Sequence, residues 1–295
     1  MLALHAALEC GTPANAGRSH QSTDALVPDN WQPREDPTDN AKWWAFQKTL
    51  MAEADEYEPA GAGQAAGLVL FGDSITERLR GTRLGEPKSE ALGDDLPEVA
   101  RTMISARWPT YQLHGISGDK AKPDLLWRIR KGGELSPKMA ADPRLLMSLL
   151  VGTNDLGGSS DPARLHRTPE ETHDGVVAVA RALLARSRGK LLINAVLPRQ
   201  RTLATFDHGV FFDWPTLITR TNEMLAHTAA TGLAEEFGEG RVAFANCTGG
   251  PFRGASAQLV NQSTMPDQLH PNAEGWRRLF EECLAPELER LERGT

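Results

Sequence analysis

The sequence predicts an α/β protein built on an open, mostly parallel β-sheet with helices on both faces. Short apolar runs recur along the chain, helical patterns separate them, and no internal repeat is visible. Apolar runs without polar alternation are typical of strands buried on both faces. Strands that alternate with helices at this spacing favour parallel crossover connections. The 295 residues are therefore interpreted as one domain over residues 41–295, preceded by a Pro-rich flexible extension over residues 1–40.

The first half of the chain begins the alternation. A helix is expected from Asn40, because five apolar residues approximate one broad face: Trp43, Trp44, Phe46, Leu50 and Met51. The apolar run 68–71 ends at a glycine and is typical of a buried parallel strand. The elements predicted after it are a helix over 94–108, a strand over 111–114, a helix over 123–131 and a strand over 145–151.

The second half of the chain continues the same pattern. Thr168, Pro169 and Glu171 form a capping-box signature for a helix that is expected to end near Ser187. An apolar strand over 191–196 is ended by Pro198. The elements predicted beyond it are a helix over 215–231, a strand over 242–245 and a closing helix over 272–293.

The composition excludes several classes of protein. The 32 basic and 39 acidic residues give a net charge of −7, and no basic stripe with interleaved aromatic residues is present, so nucleic acid is not expected as a partner. No apolar run reaches the ~18 residues of a membrane-spanning helix. The apolar N-terminus lacks the basic residues of a secretory signal, which slightly favours the cytoplasm and leaves the compartment open. A homodimer is compatible with the sequence, which carries no specific sign of one.

The three cysteines show no spacing typical of a disulfide scaffold or a metal site. Cys10, Cys247 and Cys283 include no CxxC pair, so neither a disulfide scaffold nor a thiolate zinc site is indicated. Cys247 and Cys283 could pair if the fold brought them together, but two buried free thiols are the expected state. The eight histidines show no repeated metal-ligand spacing with carboxylates, and no metal is expected.

Polar residues follow the predicted strands, where active sites form in sheets of this kind. Gly72-Asp73-Ser74 follows the first strand, and residues 115–119 follow the second. Gly152-Thr153-Asn154-Asp155 follows the next strand, and Asp267-Gln268-Leu269-His270 precedes the closing helix. Because the carboxyl ends of parallel strands lie at one edge of the sheet, these four segments are expected to meet there.

Ser74 and His270 are the candidates for nucleophile and base. A serine hydroxyl needs a base to remove its proton, although Gly-Asp-Ser alone also fits an ordinary turn or a helix N-cap. Asp267 lies three residues before His270 and can orient its ring, although the pair also fits a capping aspartate beside a surface histidine. The carboxylate is expected to raise the pKa of His270 above ~6.5, so that activity rises through a limb near that pH.

Asn154 and Gly118 are the candidates for stabilising an oxyanion. A side-chain amide and a glycine backbone N–H can both donate to a developing negative charge, although each residue also fits a plain turn. The order of the four segments at four predicted strand or helix ends argues against coincidence. The G-x-S-x-G elbow of α/β-hydrolases is absent from the chain.

The four segments resemble the signature blocks of the SGNH (GDSL) hydrolase superfamily, in the same order, over about residues 65–290. Residues 115–133 and Leu197-Pro198-Arg199 are similar to its platelet-activating-factor acetylhydrolase catalytic-subunit-like branch. The resemblance implies a flavodoxin-like three-layer α/β/α fold with a five-stranded parallel sheet and no cofactor. The roles that it implies are Ser74 as nucleophile and oxyanion donor, Gly118 and Asn154 as further oxyanion donors, His270 as base and then acid, and Asp267 as its orienting partner.

The sequence departs from the family pattern around the glycine block. His114 stands where many members have asparagine, and residues 120–123 replace a hydroxyl-rich stretch, which puts substrate preference in doubt. The charged insertion over 78–95 is expected to form a loop near the site. Trp127 and Arg128 recur in the branch pattern, and packing and an ion pair are the expected roles for them.

The leading hypothesis is a metal-independent serine esterase that hydrolyses small or short-acyl esters through an acyl-enzyme. The ester is left open among acetyl esters, sugar esters and lysophospholipids, and so is acyl transfer to an alcohol. The alternative is a catalytically silent lipid- or carbohydrate-binding protein on the same fold, which would have no need of all four polar segments. A flavodoxin-like nucleotide binder ranks last, because no phosphate-cradling glycine loop is present.

Overall fold

The structure is a computed structural model, and it describes residues 40–61, 63–88, 95–157, 167–200, 213–254 and 260–294. The predicted extension over residues 1–40 falls outside these ranges except for its last residue. Cys10 and residues 89–94 of the charged insertion also lie outside the described residues.

Five parallel strands form the central sheet in the order β4-β1-β5-β6-β7. β1 lies between β4 and β5, and its first residue, Leu68, pairs with Tyr111 on one side and Leu146 on the other. The chain therefore changes direction across the sheet after β4, and β1 stands at the switch point where ligands bind in such folds. The five strands are β1 (Leu68–Gly72), β4 (Tyr111–Gly115), β5 (Leu146–Leu150), β6 (Lys190–Asn194) and β7 (Val242–Ala245). A separate two-stranded hairpin consists of β2 (Thr82–Arg83) and β3 (Glu86–Pro87).

Helices cover both faces of the sheet, which confirms the predicted three-layer α/β/α class. In the first half of the chain they are α1 (Asn40–Asp55), α2 (Ser74–Glu77), α3 (Leu96–Val99), α4 (Ser105–Arg107), α5 (Leu126–Arg130), α6 (Pro137–Ala141) and α7 (Thr153–Gly157). In the second half they are α8 (Pro169–Arg186), α9 (Trp214–Thr228), α10 (Ala234–Phe237), α11 (Ala273–Leu279) and α12 (Ala285–Arg293). Within the described ranges, none of these helices is long and apolar enough to cross a membrane.

Several predicted helices contain wider turns. One-turn π segments join α3 to α4, α9 to α10 and α11 to α12, so the predicted helices over 94–108, 215–231 and 272–293 are each observed in more than one piece. The segment Ala121–Leu125 leads into α5 and is kinked at Lys122, whose backbone is extended (φ −123°, ψ 120°). α8 begins as predicted, since Thr168 Oγ1 accepts from Glu171 N at 3.1 Å and the Glu171 carboxylate accepts from Thr168 N at 2.9 Å.

The apolar runs fill a core on each side of the sheet. Alternate residues of a strand point to opposite faces, so Val69 and Phe71 enter one core while Leu68 and Leu70 enter the other. All five residues of β1 and of β5 are buried. The first core packs beneath α5, α8 and α9, and the second packs beneath α3, α11 and α12. Burial on both faces explains why the strands carry no polar alternation.

A smaller core holds α1 against the main domain. Trp43, Phe46 and Leu50 are buried on one face of α1, as predicted. The predicted face is too broad, because Trp44 is only partly buried and Met51 is exposed. They pack with Leu84 from the hairpin and with Ile116, which directly follows β4. α1 therefore contacts the loop at the carboxyl end of β4.

Cys247 and Cys283 form a disulfide, with their Cα atoms 5.8 Å apart. The expectation of two free thiols is wrong. Cys247 follows β7, and Cys283 lies in the π segment between α11 and α12, which packs beside that strand end. The 36-residue separation carries no pairing signal, because only the tertiary fold brings these two segments together.

Candidate active site

Ser74 lies on a tight turn between β1 and α2. The backbone passes from strand to helix at Gly72, where a Cβ atom would collide with Thr76 Oγ1 and with the Leu150 carbonyl. Asp73 caps α2, and its Oδ1 accepts from Ile75 N at 2.9 Å. The turn presents Ser74, half-buried, at the carboxyl end of the central strand.

His270 and Asp267 meet Ser74 at this turn. Ser74 Oγ lies 2.9 Å from His270 Nε2, and His270 Nδ1 lies 2.7 Å from Asp267 Oδ2. Asp267 Oδ1 also accepts from His270 N at 2.7 Å and from Leu269 N at 3.1 Å. Gln268 between them has a φ of 62°, which is uncommon for a non-glycine residue. The structure thus brings together the three residues whose order and spacing suggested a Ser-His-Asp arrangement.

Arg78 is a further member of this cluster that the sequence analysis did not assign. Its Nη1 lies 3.2 Å from Asp267 Oδ2, the same oxygen that faces the His270 ring. Arg78 begins the short 3₁₀ segment Arg78–Arg80 directly after α2. The signal that could have identified it is its position four residues after Ser74, about one helical turn away. The charged insertion thus contributes to the site through its first residue.

The pKa of His270 is lowered to about 4, so the expectation that it rises above its ordinary value is wrong. Burial of the ring is the largest cause, and the positive charges of Arg78 and Lys88 add to it. The hydrogen bond from Asp267 acts in the opposite direction but is outweighed. Although burial favours the neutral acid at Asp267, its bonds with His270 and the charge of Arg78 hold the pKa of that carboxyl well below its usual range. At neutral pH the site therefore contains a neutral imidazole beside a carboxylate.

Gly118 and Asn154 follow β4 and β5, the two strands that flank β1. Gly118 lies in the turn after β4, with a φ of 85° that favours glycine, and Asn154 lies in α7 after β5. Asn154 Nδ2 donates to the Asp119 carbonyl at 2.9 Å, and an amide carries a second N–H that can serve another acceptor. Arg199 donates to the Thr153 carbonyl at 2.7 Å and so holds the start of α7. The strand order places both candidate donors beside the turn that carries Ser74.

Two buried carboxyls support these loops. Asp73 and Asp155 are fully buried, and burial is the largest cause that raises the pKa of each to about 7. The charge of Asp155 raises the pKa of Asp73 further, while the backbone N–H of Ile75 lowers it. Asp155 accepts from Ala121 N at 2.8 Å and from Arg167 Nη1 at 3.0 Å. Asp73 thus caps the helix that begins at Ser74, and Asp155 ties α7 to the segments on either side.

Arg128 forms the ion pair that the sequence predicted. Its guanidinium is fully buried and lies 2.8 Å from Asp119 and 2.6 Å from Glu134. Burial alone would raise the pKa of Glu134, but the Arg128 charge holds it below its usual value. Across the residues that the structure describes, no group of three or more His, Cys, Asp or Glu side chains is arranged to hold a metal ion.

His114 and Trp127, the other residues noted near the glycine turn, make hydrogen-bond and packing contacts inside the protein. His114, which departs from the family pattern, is fully buried, with Nδ1 3.2 Å from Glu134 and Nε2 2.9 Å from Gln112. Trp127 packs edge-on against Trp44, with ring centroids 5.1 Å apart. The prediction that Trp127 is a packing residue is confirmed by this contact.

Solved structures share the fold of the chain. A candidate acylhydrolase from Bacteroides fragilis NCTC 9343 is 17% identical and superposes with a TM-score of 0.57, covering 84% of this chain and 98% of its own. A protein from Streptococcus pneumonia described as a candidate platelet activating factor is 17% identical with a TM-score of 0.55, covering 84% of this chain and 95% of its own. At this level of identity the likeness supports the fold.

Comparison of the sequence with family models and with curated proteins gives different outcomes. No curated protein matches the chain. The family model described as GDSL-like lipase/acylhydrolase matches residues 70–278, a span that contains Ser74, Gly118, Asn154, Asp267 and His270. This match confirms the resemblance drawn from the four sequence segments, and the chain belongs to the GDSL-like lipase/acylhydrolase family.

Proposed function

We propose that the protein is a serine-dependent carboxylic ester hydrolase that acts on small or short-acyl esters through an acyl-enzyme. The observation that carries the proposal is the pair of hydrogen bonds from Ser74 Oγ to His270 Nε2, 2.9 Å, and from His270 Nδ1 to Asp267, 2.7 Å. A hydroxyl, an imidazole and a carboxylate in this order are the groups that activate a serine nucleophile. Family membership supports the same chemistry.

Acylation begins with attack of Ser74 Oγ on the ester carbonyl carbon. The hydroxyl proton passes to His270 Nε2, and the carbonyl oxygen takes the electron pair of its π bond to become an oxyanion. Asp267 holds the ring by its Nδ1–H and stabilises the imidazolium that forms. When the bond to the alkoxy group breaks, His270 returns the proton to the departing oxygen, so an alcohol leaves and the acyl group remains on Ser74.

Deacylation uses the same residues on a water molecule. His270 accepts a proton from water while the water oxygen attacks the acyl carbon, and a second oxyanion forms. Collapse of that intermediate breaks the bond to Ser74 Oγ, which regains its proton from His270. The products are a carboxylic acid and free enzyme. An alcohol in place of water would give acyl transfer instead.

Three N–H donors are proposed to stabilise both oxyanions. They are the backbone N–H of Ser74, the backbone N–H of Gly118 and the second side-chain N–H of Asn154. Such donors act on charge that develops only in the transition state, so they raise kcat more than they tighten substrate binding. The positions of Gly118 and Asn154 after the two strands that flank β1 support this assignment.

The neutral ring of His270 is available as a general base. A ring with a pKa of about 4 is neutral throughout the range from about pH 5 upward, so it can accept the Ser74 proton at neutral pH. Removal of Asp267 would lower the pKa of His270 further, because its hydrogen bond is what raises it. The buried ring therefore depends on Asp267 to stabilise its charged form during catalysis.

A fluorophosphonate probe combined with p-nitrophenyl esters of increasing chain length tests the proposal. The wild-type protein is expected to be labelled at Ser74 and to hydrolyse acetate or butyrate faster than long-chain esters, whereas Ser74→Ala should show neither property. The absence of both labelling and turnover would support the alternative of a silent lipid- or carbohydrate-binding protein. Stoichiometric labelling of Ser74→Ala at another residue would overturn Ser74 as nucleophile. Preference for long chains would overturn only the short-acyl assignment.

A further inference from the structure

The proposed oxyanion donors need support that the catalytic residues do not supply. Gly118 is itself exposed and has a left-handed backbone, so the direction of its N–H depends on how the turn is held. The turn is closed by a hydrogen bond from Asp119 N to the Ile116 carbonyl at 3.2 Å, and Ser117 N donates to Glu77 Oε2 at 2.6 Å. The residue that follows Gly118, in contrast, is fully buried.

Asp119 links the two candidate donors through its own contacts. Its Oδ1 accepts from the Trp43 indole Nε1–H at 2.6 Å, and its Oδ2 accepts from Arg128 Nη1 at 2.8 Å. Its backbone carbonyl accepts from Asn154 Nδ2 at 2.9 Å. One buried residue therefore fixes the peptide next to Gly118 and orients the amide of Asn154.

Arg128 anchors this arrangement to the sheet. Besides Asp119, its guanidinium donates to the Gly72 carbonyl at 3.2 Å and to the His114 carbonyl at 2.9 Å. Gly72 is the last residue of β1, directly before the turn that carries Ser74, and His114 belongs to β4. The position of Asp119 is thus tied to the same strand end that presents the nucleophile. Glu134 completes the ion cluster, since its carboxylate accepts from Arg128 Nε at 2.8 Å and from Arg128 Nη2 at 2.6 Å.

Trp43 reaches this cluster from outside the family segment. It lies on α1, whereas the matched segment begins at residue 70. Its indole is fully buried and packs in the core that contains Ile116 and Leu84. A buried indole N–H that donates to a carboxylate is a directional contact as well as apolar packing.

We propose that Trp43, Asp119 and Arg128 form a clamp that positions Gly118 and Asn154 as oxyanion donors, so that α1 is part of the supporting structure of the active site. The three are positioning residues, since they act through Gly118 and Asn154. The inference rests on the proposed function and deepens it. Because the donors matter most in the transition state, loss of the clamp should lower kcat with little change in KM.

Trp43→Phe is the variant that tests the clamp, because it keeps an aromatic ring and removes the indole N–H. We expect kcat per fluorophosphonate-titrated site to fall about tenfold to a hundredfold with KM within about twofold, since small displacements of catalytic groups are costly. Trp44→Phe is the matched control, as it removes an indole N–H from the neighbouring residue, and should change kcat by less than about twofold. An unchanged kcat in Trp43→Phe, or an equal loss in Trp44→Phe, would overturn the proposal.

Two further measurements separate positioning from general loosening. In an Asn154→Ala background, Trp43→Phe should cost less than it does in wild type, because residues that act through one another are not additive. In NMR spectra, Trp43→Phe should shift the Gly118 amide and the Asn154 side-chain amide, whereas Trp44→Phe should leave both in place. Fully multiplicative effects or unmoved resonances would refute the clamp. The NMR result judges the clamp even if Ser74→Ala proves fully active, which would refute the proposed function instead.

Discussion

The two sides of Ser74 are held in different ways. On the side of the proposed base, His270, Asp267 contacts Leu269 and His270, two and three residues later in the chain, and also Arg78, 189 residues earlier. On the side of the proposed oxyanion donors Gly118 and Asn154, called the oxyanion side below, Asp119 is contacted by Trp43 from 76 residues away and by Asn154 from 35 residues away. The side chain of Asp267 keeps 16% of its surface exposed, whereas Asp119 is fully buried.

Because of this difference, substitutions on the two sides should have different effects on catalysis and on stability. The Asp267 side chain is partly exposed, so its contacts can be lost without opening a core, and substitutions on the base side should act mainly on catalysis. Buried long-range contacts connect the oxyanion side to β1, β4 and α1, so substitutions there should lower both kcat and the free energy of unfolding.

The largest effect is expected on the base side, from Asp267→Asn. An amide favours the wrong tautomer of His270 and does not stabilise the imidazolium, so kcat should fall by about 10³–10⁴, as in other serine triads. The melting temperature should change little. Titrated kcat and calorimetry on one preparation measure both, with Glu274→Gln on the exposed face of α11 as the control. A kcat within tenfold of wild type would remove Asp267 from the mechanism.

Asn154→Ala should give the next largest effect, and it should lower the melting temperature as well as kcat. Loss of one oxyanion donor lowers kcat by about 10²–10³ with little change in KM. Because the variant also leaves the Asp119 carbonyl without the Asn154 donor, the melting temperature should fall as well. Asn154→Asp should be at least as damaging, since a carboxylate would face the negative charge. If only the melting temperature changed, Asn154 would be a structural turn residue.

Breaking the disulfide should affect the base side through stability alone. The ring closed by Cys247 and Cys283 contains Asp267 and His270, and closing a loop of this length is worth about 3–4 kcal/mol in the chain-entropy model. The double variant Cys247→Ala with Cys283→Ala should therefore unfold at lower urea concentration and keep kcat in the folded fraction. Reductant should lower the urea midpoint of wild type and leave that of the double variant unchanged. An identical midpoint for wild type and variant would contradict the prediction.

The smallest effect is a shift in pH dependence from Arg78→Gln. His270 must be neutral to act as base, so kcat/KM in wild type should fall only as pH decreases through about 4. Because the Arg78 charge disfavours the imidazolium, its removal should raise the pKa of His270 and move this acid limb upward by on the order of one unit. The exposed Arg101→Gln should not move it. A limb that stays in place or moves downward would show that Arg78 does not control the ring.

The parts predicted from sequence are those encoded by neighbouring residues. The apolar runs of β1 and β5 gave correct strands because both faces are buried, and the capping box at Thr168 is a local hydrogen-bond pattern. The i, i+3 spacing of Asp267 and His270 likewise predicted their contact.

The parts that were missed depend on distant residues. The carboxylate of Asp267 near His270 is visible in the sequence. The burial that lowers the pKa of His270 is a property of the folded chain. The contact between Trp43 and Asp119 and the pairing of Cys247 with Cys283 also require the fold to be known. The candidate reacting groups are thus easier to predict from the sequence than the contacts that hold them in place.

Helix α1 shows that an inherited sequence signature and a self-sufficient folding unit need not share a boundary. The signature begins at residue 70, yet Trp43, Phe46 and Leu50 fill a core with Leu84 of the hairpin and with Ile116 of the turn that carries Gly118. A chimera that exchanged only the signature segment would bring in a foreign partner for that core and for Asp119. Any transplantation of this catalytic module into another chain therefore has to carry residues from Asn40 onward.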